Sequence, residues 1–165
     1  VRMGAFAWQG VHADLAASFA RVAQRWELGH LLQRPWTALS GGEQQRVQLA
    51  RTALQIQLAE QNQARVWLLD EPLAALDLRH QAVALKAMRA EAESGALVVA
   101  SVHDMNAALA IASHVLVLAE GEVLWHGPVV AEPLREALSQ AFGLRLGWAV
   151  LKGGDASGQW LVPLP

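Results

Sequence analysis

An α/β fold, with a parallel sheet flanked by helices, is what this sequence predicts, and three observations carry it. Val66 to Leu69 is a continuous apolar run that ends abruptly in Asp70-Glu71-Pro72, the mark of a strand buried on both faces of a sheet. Arg79 to Ser94 is rich in alanine, leucine, lysine and glutamate, good helix formers, and Gly95 stops it. Ala96 to Val102 is then a second buried strand, with His103 at its carboxyl end.

Composition bounds the reading. The 165 residues are 53% hydrophobic and 17% charged, which fits one globular domain with a core and argues against disorder. A net charge of −2 gives no broad attraction to nucleic acid or anionic lipid, so nucleic acid is not the expected partner. The chain has no cysteine, which excludes disulfides and cysteine metal sites. The longest apolar stretch to test for membrane insertion, Met105 to Ala119, is short of the about 20 residues a span needs and contains Asn106 and His114. The seven tryptophans are scattered and read as packing residues.

Taken in order, Val1 to Arg34 reads as helical. Leu15, Phe19, Val22 and Trp26 recur at three to four residue spacing with Asp14, Arg21 and Arg25 between them, as an amphipathic helix requires. Met3, Phe6 and Trp8 read as apolar residues that pack inward. Arg34-Pro35-Trp36-Thr37 breaks the helix. A second helix is expected to run to about Leu58, with Val47, Leu49, Ala50, Ala53 and Leu54 as its apolar face and Arg46 and Arg51 as polar positions. Glu60-Gln61-Asn62-Gln63 is a polar break. Beyond the sheet, Met105 to Ala112 reads as a short helix, His114 to Leu118 and Glu122 to Trp125 as a hairpin across Glu120-Gly121, and Pro133 to Phe142 as a helix. Two last strands are expected around the turn-rich Gly153 to Gly158.

The chemistry concentrates between Leu39 and Asp77. Ser40 followed by Glu43 is a capping-box pattern that starts a helix. Gly41 and Gly42 carry no side chain, so an anion can approach the first-turn amides where the helix dipole favours it; the same residues also read as a plain capped helix with a flexible entrance. Carboxylates at the carboxyl end of a parallel strand face the ligand crevice of such sheets. Asp70 there suits Mg²⁺ and Glu71 suits polarising an attacking water, the bland alternative being a solvated acidic turn. His103 alone reads as a satisfied loop residue; beside that crevice, it reads as an imidazole contacting phosphate and water.

Four of these motifs, in this order, resemble those of ATP-binding cassette (ABC) proteins. Leu39-Ser40-Gly41-Gly42-Glu43 is similar to their signature, Val66 to Glu71 to their Walker B strand with its catalytic glutamate, Ala75-Leu76-Asp77 to their D-loop, and His103 to their switch histidine. Leu76-Asp77-Leu78-Arg79-His80-Gln81 suggests the branch that serves haemin, cobalamin and iron-chelate importers. The resemblance implies a P-loop NTPase fold of ABC type, divided into a partial helical subdomain over 1–38, a catalytic core over 39–143 and a carboxyl-terminal β extension over 144–165. It implies ATP and Mg²⁺ as cofactors, with Asp70 on the metal, Glu71 and His103 catalytic, and Ser40, Gly41, Gly42, Glu43 and Asp77 on nucleotide. It implies a homodimer of ATPase subunits, membrane permease partners and, indirectly, a substrate-binding protein, at the cytoplasmic face of a bacterial inner membrane.

One part of the family pattern is missing. No Gly-x-x-x-x-Gly-Lys-Ser/Thr string occurs, and no lysine precedes Lys86. Gln9 and Gln24 are the nearest candidates for the family's phosphate-sensing glutamine, in no matching context. The expectation is therefore the carboxyl-terminal part of a longer ATPase, with a non-catalytic partner that lends only its signature as the rival. A DNA-repair ATPase of the same class is disfavoured, since no long coiled coil or basic surface interrupts the chain.

Overall fold

The computed structural model describes residues 15–59, 64–129, 131–150 and 159–165. Met3, Phe6, Trp8, Gln9 and Asp14, the Glu60 to Gln63 break and the Gly153 to Gly158 turn lie outside the described residues. The chain forms two compact units, Val1–Val102 and His103–Pro165.

In the first unit, α1 (Leu15–Arg25) packs on α2 (Gly41–Leu58), which leads to β1 (Val66–Leu69), α3 (Leu78–Glu93) and β2 (Leu97–Ala100). β1 and β2 pair in parallel, Val66 with Leu97 through Leu69 with Ala100. The continuous helix expected to Arg34 stops at Arg25 instead. Glu27 takes a left-handed φ of 53°, its N–H donates to Gln24 O at 3.1 Å, and Leu28 N–H donates to Ala23 O at 2.9 Å. Those paired bonds close a Schellman motif. Single 3-10 turns follow at Gly29–Leu31 and Trp36–Ala38.

The core of this unit holds Val22, Trp26, Leu28, Leu49, Ala50, Ala53, Leu54, Trp67, Ala84 and Met88. Trp67 anchors β1 under α2, its indole N–H donating to Thr52 Oγ1 at 3.1 Å. Arg46, read as a polar position, is buried, because its guanidinium donates to the carbonyls of Trp26 and Glu27 at 3.2 and 3.3 Å. One sequence expectation needs correcting here: the strands, expected to be buried on both faces, are covered on one only, where Trp67 is buried and Leu69, Val98 and Ala100 are half-buried. α2 packs on β1 and α3 on β2, while Val66, Leu68, Leu97 and Val99, aligned on the opposite face by the register, are 49%, 71%, 59% and 49% exposed.

In the second unit, α4 (Met105–Ile111) precedes an antiparallel hairpin of β3 (His114–Ala119) and β4 (Glu122–Pro128), and α5 (Ala131–Phe142) precedes a second antiparallel pair, β5 (Leu146–Val150) and β6 (Gln159–Pro163). Glu120 and Gly121, at φ 52° and 82°, make the two-residue turn that matches strand twist. α5 packs against β3, β4 and β5, burying Leu134, Ala137 and Leu138 with Val117, Leu146 and Leu161. The Asn106 side chain of α4 extends β6 by bonding both backbone groups of Leu161, at 3.1 and 2.9 Å.

Leu54 is fully buried between α2 and its neighbours. Leu54→Ala should lower stability by about 3 kcal/mol through lost transfer energy and the cavity left behind. Urea unfolding followed by circular dichroism checks this; a loss under 1 kcal/mol would mean that α2 does not form the packed core described here.

Candidate functional site

The start of α2 is built by reciprocal capping. Glu43 N–H donates to Ser40 Oγ at 3.3 Å, and Ser40 N–H donates to Glu43 Oε2 at 2.7 Å. The Ser40 amide, then the Ser40 hydroxyl, and beyond them Arg34 and Arg46, hold the Glu43 carboxyl below its ordinary 4.5; Arg34 itself lies 3.1 Å from Glu43 Oε1. The first intrahelical bond runs from Gln44 N–H to Ser40 O at 2.9 Å, so Gly41 and Gly42 occupy the end of the helix whose amides carry partial positive charge.

The two glycines differ. A β-carbon on Gly41 would meet only Ala75 Cβ, at 3.9 Å, whereas one on Gly42 would stand 2.6 Å from the Ala75 carbonyl oxygen. Gly42 is therefore required by the chain's own backbone as well as by any ligand, a constraint absent from the sequence reading. The partner in that contact is strained: Ala75 has φ 59° and Glu71, at the other end of the same turn, φ 43°, both in a region that L residues seldom adopt. Gln45, from α2, steadies the turn by donating to the carbonyls of Glu71 and Pro72 at 3.4 and 3.2 Å.

At the end of β1, Asp70 and Glu71 are both exposed. Ser101, just past β2, joins them: its hydroxyl donates to Asp70 Oδ1 at 2.7 Å and accepts from Glu71 N–H at 2.8 Å. Parallel register makes this possible, since Leu69 pairs with Ala100 and so brings the next residues of each strand side by side. Asp77 closes the turn as the cap of α3, accepting from His80 N–H at 2.8 Å; that bond first, and the His80 side chain after it, hold its carboxyl below the ordinary 3.8.

Seven of the eight predicted site residues thus lie in the first unit: Ser40, Gly41, Gly42 and Glu43 at the start of α2, Asp70 and Glu71 after β1, and Asp77 before α3. His103 is exposed and is the first residue of the second unit, next to Asp104, whose side chain caps α4. Sequence reasoning missed Gln45 and Ser101 as site residues, and named Ala75 only within the D-loop resemblance. A hydroxyl one residue past a strand that pairs in parallel with an acid-terminated strand is the signal that would have found Ser101.

The geometry fits phosphate and a hard cation in different places. Gly41 offers open space at a helix amino terminus, which suits a phosphate. Asp70 presents an exposed carboxylate already oriented by a hydroxyl. Among the described residues no group of three or more His, Asp or Glu is arranged to hold a metal ion; a lone carboxylate such as Asp70 suits an ion that takes its other ligands from phosphate and water, as Mg²⁺ does.

Comparison with known proteins gives the chain's likenesses. Residues 8–74 match the family described as ABC transporter. The chain is 39% identical over 151 residues to the hemin import ATP-binding protein HmuV of Myxococcus xanthus, covering 92% of this chain and 55% of that protein. It is 42% identical over 148 residues to HmuV of Roseobacter denitrificans, covering 88% and 56%. Its fold superimposes on a metal-chelate type ABC transporter in an inward-facing conformation with a TM-score of 0.73 at 24% identity, covering 99% of this chain and 64% of that one. Over these stretches the chain is similar to ATP-binding proteins of ABC transporters. Its relatives at about 40% identity are hemin import ATP-binding proteins, and it spans about half the length of the curated relatives it matches.

Ser40→Ala should cost about 1 kcal/mol and speed amide exchange at Glu43. Both Glu43 and Asp77 have depressed values, so their contribution is complete above the ordinary 4.5 and 3.8 and is lost as pH falls through the lowered ones. Hydrogen exchange across pH should therefore loosen the first turns of α2 and α3 selectively on acidification; protection that rises in acid would contradict this.

Proposed function

We propose that this chain carries part of the ATP-hydrolysing site of a bacterial ABC importer for haemin, cobalamin or an iron chelate. The observation that carries the reading is the pair Asp70 and Glu71 at the end of a parallel strand, oriented by Ser101, on a turn that packs against the glycine-fronted start of α2. In this reading, ATP is the phosphoryl donor and Mg²⁺ neutralises its phosphate charge, with Asp70 as the protein's ligand. Ser40, Gly41 and Gly42, backed by Glu43, cover the γ-phosphate of a nucleotide held on the partner subunit's phosphate loop, so each complete site needs two chains. Glu71 orients or deprotonates the attacking water, His103 steadies the transferred phosphate, and Asp77 links the two sites across the interface. Positioning and electrostatics supply the catalysis.

Two features support placing this chain within a longer subunit. Its match extends over about half of each curated relative, and the apolar face of Val66, Leu68, Leu97 and Val99 is exposed where a second layer would pack. The assembly would sit at the cytoplasmic face of the inner membrane, held there by permease subunits supplied through an external binding protein; no described helix is long and apolar enough to cross a membrane. A second reading is favoured by the lack of a phosphate-loop string: a non-catalytic partner that contributes only its signature. The intact mass of the natural protein separates them, a value well above 17.8 kDa with phosphate-loop peptides favouring the first.

In the natural protein, Glu71→Gln should reduce ATP turnover by about 100-fold or more while keeping ATP-induced dimerisation. Normal turnover would rule out the water-activating role. Ser40→Arg should block dimer closure far more than ATP binding, and equal loss of both would remove the signature assignment.

A further inference from the structure

Three helices end in the same backbone motif, and one of them breaks its rule. After α3, Gly95 (φ 92°) donates to Ala92 O at 3.0 Å and Ala96 donates to Glu91 O at 3.0 Å; after α5, Gly143 (φ 63°) and Leu144 repeat the pair at 3.2 and 3.0 Å. The left-handed position belongs to glycine in both. After α1 it belongs to Glu27. A side chain kept where its backbone disfavours one points to a use for that side chain.

Its carboxylate meets the run that follows Asp77. Glu27 Oε1 accepts from Arg79 Nη2, and Glu27 Oε2 lies 3.7 Å from His80 Nε2. On the other side of the ring, His80 Nδ1 lies 2.8 Å from Asp77 Oδ1, the same oxygen that caps α3. The imidazole is 16% exposed, and its buried Nε2 has no hydrogen-bond partner, so the Glu27 carboxylate is what it faces. The backbone beneath is fixed as well: buried Arg46 of α2 holds the carbonyls of Trp26 and Glu27, and Gln81 donates to Leu76 O at 3.1 Å. Asp77, by contrast, has a side chain 67% exposed.

We propose that His80 is a positioning residue for Asp77, and that Glu27 positions His80 in turn. The imidazole donates Nδ1–H to the exposed carboxylate and restricts it to one orientation; with Nε2 protonated as well, the ring's charge faces Glu27, whose backbone Arg46 ties to α2, and this keeps the ring from swinging away. This rests on the reading of Asp77 as an interface group given under Proposed function. It also assigns the run Leu76 to Gln81, of which the site as described uses only Asp77.

The test uses the natural protein and compares His80→Ala, His80→Asn, Glu27→Gln, the Glu27→Gln/His80→Ala double variant and Glu71→Gln. His80→Ala and Glu27→Gln should each lower kcat for ATP about three- to tenfold with KM unchanged, since misplaced groups cost rate rather than binding. The double variant should lose no more than the worse single one, because members of one network are not additive. Asn, which can still donate to Asp77, should restore kcat above the Ala level. A merely structural role predicts the opposite order, alanine being the better helix former. If Glu71→Gln abolishes turnover while His80→Ala or Glu27→Gln keeps the wild-type kcat, the positioning line is overturned and the ATPase reading stands. If Glu71→Gln turns over normally, the ATPase reading fails. The geometric link is then judged alone by the His80 ring ¹⁵N resonances: they should move in Glu27→Gln, and unmoved resonances would overturn it.

Discussion

The first turn of α2 lies so close to the turn after β1 that residue 42 has no room for a side chain. A β-carbon there would fall 2.6 Å from the Ala75 carbonyl oxygen, a distance backbone atoms do not tolerate. This one approach brings the capped helix start, the strand-end carboxylates and the Asp77 cap into a single rigid region. Gln45 reinforces it by bonding the carbonyls of Glu71 and Pro72, and Ser101 locks the far side by joining Asp70 to the Glu71 amide. The start of α2 and the turn carrying Asp70 and Glu71 are therefore held together by a backbone approach at Gly42 and by the side chains of Gln45 and Ser101.

Backbone strain is concentrated around the same region. Among the described non-glycine residues with positive φ, Glu27, Glu71 and Ala75 all lie in the first unit and all touch α2 or the turns leading to and from the site. Glu120, the fourth, needs no such account, because a two-residue hairpin requires its conformation. Left-handed L residues cost roughly 1–2 kcal/mol each, and the packing of α2 on β1 and α1 offsets that cost. Arg46 shows how tightly this is arranged: a cation on what reads as the polar side of a helix is buried to hold the two carbonyls released where α1 ends.

Much of this was legible in the sequence because it is written in local terms. Ser40 and Glu43 formed the expected capping box, Val66 to Leu69 formed the expected strand before Asp70 and Glu71, and Gly95 stopped α3. The end of α1 was not legible, since Glu27 stands where the motif calls for glycine and the amphipathic spacing runs on through Trp26. Ser101, Gln45 and the burial of Arg46 were not legible either. Each depends on partners 19 to 31 residues away, and nothing in local periodicity encodes them. Gly42 was noticed for the right property and given only half its reason: absence of a side chain serves the Ala75 carbonyl too.

The strands show how far a local pattern can exceed the structure around it. Val66-Trp67-Leu68-Leu69 carries apolar residues at every position, the composition of a strand covered on both sides. In this chain α2 accounts for the Trp67 face, while Leu68 and its register partner Val99 stay 71% and 49% exposed, and Val66 and its partner Leu97 stay 49% and 59% exposed. An exposed row of that kind loses the transfer free energy its residues would gain by burial, about 25 cal/mol per Å², and a two-stranded sheet has little else to hold that face. The apolar composition of β1 and β2 is therefore explained only in part by α2 and α3. The rest stays exposed in this chain, which spans about half the length of the hemin import ATP-binding proteins it matches.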